Sequence, residues 1–445
     1  KDENWQASDG KNHTTEEFKN KQGQVVLKAT YANTDLNNDG DFNETGETQS
    51  IYSTYYVYDD FGNLTYVIPP KVTLTNGVSS TELSELCYQY KYDDRNRLIE
   101  KKIPGKGWES IVYDKLDRPV LTQDAVQKTQ QKWNFTKYDN LGRVAYTGIV
   151  TSSNTRPQMQ SQFDAVNDTA LKLYETKKSS GTGFDGTYYT NSNFPYSNLE
   201  ILTVNYYDNY TFNRAGAPTT VNVYGVNSTT NLKSLATGSR IKVLDQSPQK
   251  WITTVTYYDE KARPIYMYSK NEYLETTDIS ETKLEDFTGK VLQTRTVHNK
   301  TGQEEIVTID TFSYDHADRL LDQYQCVGGS SLISCNGEAP DHVTKSSPLD
   351  LMQNETQIIA KQSITLAAGF EVAPSANQSV VFTVNATASA AELIVSNNYD
   401  ELGQLKSKKV GNSKDAPLQT VDYTYNIRGW LTNINQDTQN DSDLF

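Results

Sequence analysis

A six-residue signature, Tyr-Asp-x-x-Gly-Arg, recurs along the chain and constrains its fold more than any other feature. The copies begin at Tyr58, Tyr92, Tyr113, Tyr138, Tyr258, Tyr314, Tyr399 and Tyr425, and a degenerate copy runs from Glu285 to Lys290. Neighbouring copies lie roughly 20 to 35 residues apart where nothing is inserted, which is typical of supersecondary repeats.

Each copy predicts a strand, a tight turn and a second strand. Large residues alternate before and after the first copy, at Tyr56 and Tyr58 and then at Leu64 and Tyr66. The Asp at the second position can accept hydrogen bonds from backbone N–H groups of the turn. The Arg at the sixth position can pair with that Asp, an interaction of about 1 kcal/mol or less in water. The turn residues assigned in this way are Tyr58, Asp59, Gly62, Tyr92, Asp93, Arg97, Tyr113, Asp114, Arg118, Tyr138, Asp139, Gly142, Arg143, Tyr258, Asp259, Arg263, Tyr314, Asp315, Arg319, Tyr399, Asp400 and Gly403.

The fifth position of the signature needs a positive φ, as a short hairpin loop does. It is Gly in five of the nine copies, and Asn96, Asp117 or Asp318 in three more. Asn and Asp tolerate this left-handed conformation better than other residues with side chains. Ala262 is the one residue that does not fit the prediction.

A fold class follows from the number of these hairpins. Because an isolated hairpin is only marginally stable, each copy needs its neighbours, and the repeats should form one spiralling sheet. The 30 tyrosines suit the half-buried faces of such a sheet. We therefore predict an all-β fold with a small inserted β domain and few short helices.

Segments that lack the signature divide the chain. The predicted helix near residue 157 has Pro157 in its first turn, and Met159, Phe163 and Val166 on one face. The predicted organisation is an irregular segment at 1–50, a repeat region at 51–325 with insertions at about 150–250, a cysteine loop and small β insert at 326–395, and a continuation of the repeats at 396–445.

The net charge of the chain argues against some classes of binding partner, and its apolar runs and first residues bear on its relation to membranes and export. A net charge of -14 argues against nucleic acid and against an anionic membrane surface. No run of ~18 apolar residues is present, so no membrane-spanning helix is predicted. The chain opens on Lys1-Asp2-Glu3-Asn4 without a signal peptide, and we interpret it as an internal segment of a longer polypeptide.

Two cysteines are candidates for a disulfide. Cys326 and Cys335 lie nine residues apart, a spacing that can close a small loop in an oxidising compartment. The alternative is two unpaired thiols. Cys87 stands alone.

One acidic loop resembles the start of an EF-hand calcium loop. Its candidate ligands are Asp35, Asn37, Asp39, Asp41 and Asn43. Gly40 occupies the sixth position as in such loops, but the twelfth position is Gly46 instead of the bidentate Glu. We predict a structural Ca²⁺ site, with a solvated acidic turn as the alternative, and no other cofactor.

Catalytic motifs are not found in the sequence. The four histidines are scattered, and no Gly-x-Ser-x-Gly, zinc His pair or phosphate-binding loop occurs. Paired carboxylates for glycoside hydrolysis remain an alternative, although many of the Asp residues are explained as turn residues. Trp108, Trp251 and Trp430 can stack on sugars or pack on the sheet. We expect a protein that is not an enzyme.

The repeated signature resembles the YD repeats of Rhs proteins, of the wall-associated WapA type, of teneurins and of the C component of insecticidal toxin complexes. The segments Tyr189–Pro195, Val204–Asp208 and Tyr425–Thr432 are similar to Bacteroidetes members, and Gln362–Phe370 is similar to a small β module that accompanies such proteins. The resemblance implies a hollow β-shell that encloses a C-terminal toxin released by self-cleavage, with export by the type 9 secretion system. Motifs for self-cleavage and a sorting domain are not found in the sequence.

The resulting functional hypothesis is a shell or scaffold segment of a large secreted Rhs-type protein. It would enclose or present a C-terminal effector in competition between bacteria. Its partners would be other segments of the same polypeptide and components of the secretion system, and its location would be secreted or on the cell surface. The alternatives are a surface adhesin or carbohydrate-binding repeat protein and, third, a glycan-active hydrolase.

Overall fold

Two compact units, Lys1–Val204 and Asn205–Phe445, make up the protein. The computed structural model describes residues 11, 14–33, 49–72, 77–165, 173–330, 332, 335, 342–345, 357–360, 363–366, 381–384, 391–411, 414–415 and 417–435.

The first unit is a succession of antiparallel strands in which each strand pairs with the next along the chain. The strands are β1 (Thr14–Lys19), β2 (Val25–Asn33), β3 (Gln49–Tyr58), β4 (Leu64–Ile68), β5 (Tyr88–Tyr92), β6 (Leu98–Lys102), β7 (Trp108–Tyr113), β8 (Pro119–Gln123), β9 (Lys132–Tyr138), β10 (Val144–Thr151) and β11 (Leu199–Tyr207).

Three short helices lie between these strands: α1 (Ser80–Glu85), α2 (Ala125–Thr129) and α3 (Arg156–Asp164). A 3-10 turn at Phe184–Gly186 follows. The predicted helix is confirmed as α3, with Pro157 in its first turn and Met159 and Phe163 buried. The N–H of Thr155 donates to the Gln158 side chain at 2.8 Å, so a capping box begins the helix. Val166 lies outside the described residues.

The core of the first unit centres on β9 and β10. Trp133 and Phe135 alternate along β9 and are buried to 0% and 1% exposure. On β10, Gly148 lets the strands approach closely, because a Cβ there would lie 2.0 Å from the backbone oxygen of Glu200. The period-two alternation of the sequence therefore places one face of these strands inside.

The second unit has a similar antiparallel succession, in which each of its strands pairs with the next. These strands are β14 (Ala236–Val243), β15 (Lys250–Tyr258), β16 (Pro264–Asn271), β17 (Thr276–Leu284), β18 (Val291–Lys300), β19 (Ile306–Tyr314), β20 (Leu320–Gly328), β25 (Glu392–Tyr399), β26 (Leu405–Val410), β27 (Gln419–Tyr425) and β28 (Leu431–Ile434). Strands outside the succession are β12 (Asn222–Val223), β13 (Val226–Asn227), β21 (His342–Lys345), β22 (Gln357–Ala360), β23 (Ser363–Leu366) and β24 (Val381–Val384).

The strands outside the succession form three small ladders. β12 and β13 make a short antiparallel hairpin. β21 pairs with β23 and β22 pairs with β24, both in parallel. The strands β21 to β24 fall within the segment 326–395, where the sequence predicts a β insert, although the sequence did not predict that they pair in parallel. With strands in both units and three short α-helices among the described residues, the predicted all-β fold class is confirmed.

The signature turns of each unit all emerge at one edge of its sheet. In the first unit they connect β3 to β4, β5 to β6, β7 to β8 and β9 to β10, and in an antiparallel succession every second connection, including the turn from β1 to β2, lies at the same edge. A register shift precedes each turn, so that Tyr58 pairs with Leu64 and Tyr314 pairs with Leu320. We call the row of signature turns along one unit its turn ladder.

Candidate functional site

Each turn of the ladder is built around the carboxylate at its second position. In the copy at Tyr314, Oδ1 of Asp315 accepts the N–H groups of Ala317 and Arg319, both at 2.9 Å. Its Oδ2 accepts Nε of Arg319 at 2.6 Å. The backbone N–H of Arg319, ahead of its guanidinium, overcomes the effect of desolvation and lowers the pKa of the Asp315 carboxyl.

The same arrangement repeats in the other copies that keep both Asp and Arg. Its donors and acceptors recur at Asp93 with Arg97, Asp114 with Arg118, Asp139 with Arg143 and Asp259 with Arg263. Several of these carboxylates are nearly buried, with 4% exposure for Asp139 and 3% for Asp259. Each of these carboxylates accepts hydrogen bonds from its own turn, so its role is structural.

The fifth position adopts a left-handed backbone in every copy, as the sequence predicts. The φ values are +86° at Gly62, +58° at Asn96, +58° at Asp117, +78° at Gly142, +61° at Ala262, +77° at Gly289, +66° at Asp318, +84° at Gly403 and +81° at Gly429. Ala262 therefore adopts the same backbone as the glycines, at a steric cost that Gly does not have.

In seven copies a tyrosine hydroxyl ties the turn to the strand that follows the preceding turn, whereas Tyr258 bonds Ala236 at the start of β14. Tyr399 donates from its hydroxyl to the backbone oxygen of Leu320 at 3.0 Å, and Leu320 directly follows the sixth position of the preceding turn. The other hydroxyls, at 2.6–3.1 Å, are Tyr58 to Val25, Tyr92 to Leu64, Tyr113 to Leu98, Tyr138 to Pro119, Tyr258 to Ala236, Tyr314 to Val291 and Tyr425 to Leu405. Sequence reasoning assigned these tyrosines to turns but missed the bond between copies.

The sixth-position side chain makes a second contact with the following copy. The guanidinium of Arg319 lies 4.5 Å from the ring centroid of Tyr399, and Arg97 lies 4.7 Å from that of Tyr113. These arginines also reach the fifth position of the next turn. Nη1 of Arg97 donates to Oδ1 of Asp117 at 2.7 Å, whereas a Cβ at Gly403 would lie 2.8 Å from Nη1 of Arg319. The fifth position of the next turn is therefore an acceptor for Arg97 and a glycine beside Arg319.

One turn of the ladder, between β1 and β2, was missed by the signature. Oδ1 of Asn20 accepts the N–H groups of Gln22 and Gln24, each at 3.0 Å, and Gly23 has a φ of +82°. The degenerate copy at Glu285 also closes a turn, with Oε1 accepting the N–H of Phe287 at 3.0 Å. The Asn-x-x-Gly spacing at Asn20 was the signal that could have identified the first of these.

Outside the ladder, Cys326 and Cys335 are joined by a disulfide with an S–S distance of 2.01 Å. They lie in a buried cluster with Val297, Val307 and Ile309. Cys87 is buried and has no disulfide, and desolvation raises the pKa of its thiol.

The predicted calcium loop from Asp35 to Asn43 lies outside the described residues, so that site stays a prediction. Within the described part of the chain, no group of three or more His, Cys, Asp or Glu residues could hold a metal ion. None of the helices among those residues is long and apolar enough to cross a membrane.

A buried lysine and glutamate form the main polar centre of the first unit. Nζ of Lys137, on β9, lies 3.1 Å from Oε1 of Glu175, and their side chains are 2% and 0% exposed. Lys137 also donates to the Asn191 side chain and, at 2.6 Å, to the backbone oxygen of Asn193. Desolvation lowers the pKa of Lys137 to about 8, although the adjacent Glu175 opposes this shift.

Glu175 is held by donors from the segment that follows it. Its Oε2 accepts from the Thr190 hydroxyl and from the N–H of Ser192, both at 2.7 Å, and Oε1 accepts the N–H of Asn193 at 3.1 Å. Glu175 itself sits beside β9, since its N–H donates to the backbone oxygen of Tyr138 at 2.7 Å. The centre thus holds residues 173–198 on the sheet. Nothing in the sequence singled it out.

The chain matches no protein-family model and no curated protein. It is similar to solved structures of TcdB2-TccC3 chains. With the structure titled "Crystal Structure of TcdB2-TccC3-Cdc42" it shares 12% identity at a TM-score of 0.35, covering 94% of this chain and 16% of that one. With the TcdB2-TccC3 structure that lacks the hypervariable C-terminal region it shares 13% identity at a TM-score of 0.34, covering 92% of this chain and 16% of that one. With the TcdB2-TccC3-TEV structure it shares 15% identity at a TM-score of 0.25, covering 96% of this chain and 19% of that one. At these values the likeness carries no functional inference.

Proposed function

We propose that this chain is a wall segment of a large secreted Rhs-type protein that encloses or presents a C-terminal effector in competition between bacteria. Its partners would be the remaining segments of the same polypeptide and components of a secretion system. The whole protein would be of the Bacteroidetes type and would be exported by the type 9 secretion system. It would act outside the cell and would not be an enzyme.

The observation that carries this proposal is the bonding between successive turns. Seven copies are tied to the preceding turn by a tyrosine hydroxyl, and the Asp carboxylates accept hydrogen bonds inside their own turns. A hairpin held by both neighbours is suited to a long continuous wall, because no copy is complete alone. The polar residues that recur in the signature are thereby explained without catalysis.

Protection of the downstream polypeptide from protease tests the proposal. The full-length protein that contains this chain would be digested in its native form and after unfolding. We expect the region beyond the wall to be cut far more slowly in the native protein. Equal rates of cleavage in the two forms would refute an enclosing wall.

Two adjacent aspartates provide a matched pair of variants. Asp93 occupies the second position of its turn and accepts three hydrogen bonds, whereas Asp94 at the third position is exposed. Asp93→Ala should increase the cleavage of the enclosed region, and Asp94→Ala should leave it unchanged. The same effect from both variants would mean that the turn ladder does not maintain the enclosure.

Exposed aromatic side chains favour carbohydrate binding as a second candidate function. Trp430 is 49% exposed and Tyr273 is 51% exposed, and such rings can stack on sugars. A glycan array probed with the chain distinguishes the two functions. Specific glycan binding that is lost in Trp430→Ala would support an adhesin, and turnover of any polysaccharide would overturn the proposal that the chain is not an enzyme.

A further inference from the structure

The polar centre of the first unit brings together an amine, an amide and a carboxylate away from water. Nζ of Lys137 contacts Oδ1 of Asn191 and lies 3.1 Å from Oε1 of Glu175. The rings of Tyr146 and Tyr189 beside them are 0% and 2% exposed. An ion pair requires only the lysine and the glutamate. The amide in contact with the amine adds an electrophilic carbon one bond away from the contacting oxygen.

We propose that Lys137 and Asn191 react to form an intramolecular isopeptide bond, with Glu175 as the proton carrier. The product would be a covalent link between β9 and the segment 173–198, in place of the hydrogen bond between the two side chains.

The reaction balances without an external reagent. Glu175 takes a proton from the Lys137 ammonium, and the lone pair of the neutral amine attacks Cγ of Asn191. The C–N bond forms while the π electrons move to Oδ1 and then return as the bond from Cγ to Nδ2 breaks. Glu175 passes its proton to the departing nitrogen, and the second proton from Nζ goes with it, so that one ammonium ion leaves for each amide formed.

The surroundings of the three groups favour each step. With the Lys137 pKa lowered to about 8 by burial, roughly a tenth of the amine is neutral at pH 7. The hydroxyl of Tyr146 donates to the backbone oxygen of Thr190 at 2.8 Å and lies 3.5 Å from Oδ1 of Asn191, so a rotation of its O–H bond would let it stabilise the negative charge that develops there. Nδ2 of Asn191 donates to the backbone oxygen of Tyr196 at 2.9 Å, which orients the amide.

Intact-mass spectrometry of the whole chain tests the bond. The protein is reduced, so that the disulfide does not alter the mass, and is then unfolded in acid. We expect a mass below that of the sequence by one ammonia, and fragmentation should yield a branched peptide that joins Lys137 to Asn191. If the reduced protein, after long incubation at pH 8, has the mass calculated from its sequence, the proposal is overturned.

Four variants separate this bond from other losses of ammonia. Asn191→Ala and Glu175→Gln should both restore the full mass expected for the variant. Asn134→Ala is the matched control, because Asn134 lies on β9 like Lys137 but its side chain is exposed and bonds Gln127, and it should keep the deficit. A deficit that persists in Lys137→Arg would come from cyclisation of an asparagine and would refute the link to Lys137.

Discussion

Ala262→Gly should stabilise the second unit, although replacing alanine by glycine usually destabilises a protein. Ala262 has a φ of +61°, a left-handed conformation that costs a residue with a Cβ about 1–2 kcal/mol. Its methyl group is exposed, so the substitution removes little buried apolar surface. Against this gain, glycine loses about 0.5–1 kcal/mol more conformational entropy on folding. The net expectation is a gain of about 0.5–1 kcal/mol in the free energy of unfolding.

The same substitution one position earlier in another turn is the matched control. Ala317 occupies the fourth position of its copy, is exposed and has no positive φ. Ala317→Gly therefore carries the entropy cost without the steric relief, and it should lower the free energy of unfolding by about 0.5–1 kcal/mol. The two variants should differ by about 1–2 kcal/mol in opposite directions.

Urea denaturation of the full chain, together with hydrogen exchange of the β15–β16 hairpin, measures both variants. The midpoint should rise for Ala262→Gly and fall for Ala317→Gly, and the amides of the β15–β16 hairpin should exchange several-fold more slowly in the first variant. If Ala262→Gly destabilises the protein as much as Ala317→Gly does, the left-handed strain that we assign to the fifth position is absent and the reasoning fails.

Three further predictions follow from the rest of the molecule. Replacing Cys326 and Cys335 by Ser should lower the free energy of unfolding of the second unit by about 2–3 kcal/mol, since the short closed loop restrains the unfolded chain; an unchanged urea midpoint would contradict this. The Thr288 hydroxyl and two backbone N–H groups lower the pKa of Glu285 from its ordinary value of 4.5 to about 2. The ionised carboxylate should therefore stabilise its turn at pH values above 4.5, and this stability should be lost as the pH falls towards 2. An NMR titration of the carboxyl group should give a midpoint well below 4.5. Calorimetry of the full chain should detect Ca²⁺ binding that disappears when Asp35 and Asp39 are replaced by Asn, and no heat at millimolar calcium would remove the predicted site.

Local turn chemistry could be predicted from the sequence because its causes lie within six residues. The need for a positive φ selects Gly, Asn or Asp at the fifth position, and the turn N–H groups select Asp at the second. The same rules are satisfied at Asn20 and Glu285 by other side chains, Asn and Glu. The signature therefore identifies the common solution to the turn and, as a degenerate copy, the one at Glu285, but it misses the turn at Asn20.

The polar centre could not be predicted because its members are distant in the sequence. Lys137 and Glu175 are 38 residues apart, and Asn191 is 54 residues from Lys137. Each of them is an ordinary polar residue in its local segment, and surface exposure is the usual expectation for Lys and Glu. Only the return of residues 173–198 to the side of β9 makes the three groups neighbours.

The fifth position of a turn faces the sixth-position side chain of the copy before it, and the contact between them differs from copy to copy. Arg97 meets an acceptor at Asp117, and Lys290 meets one at Asp318, whereas Arg319 meets Gly403, where a Cβ would lie too close to its guanidinium. A repeat with Asp at the fifth position therefore suits a preceding cation that can pair with it. Because each such pair joins two successive turns, these side chains specify which hairpin follows which, in addition to stabilising each turn.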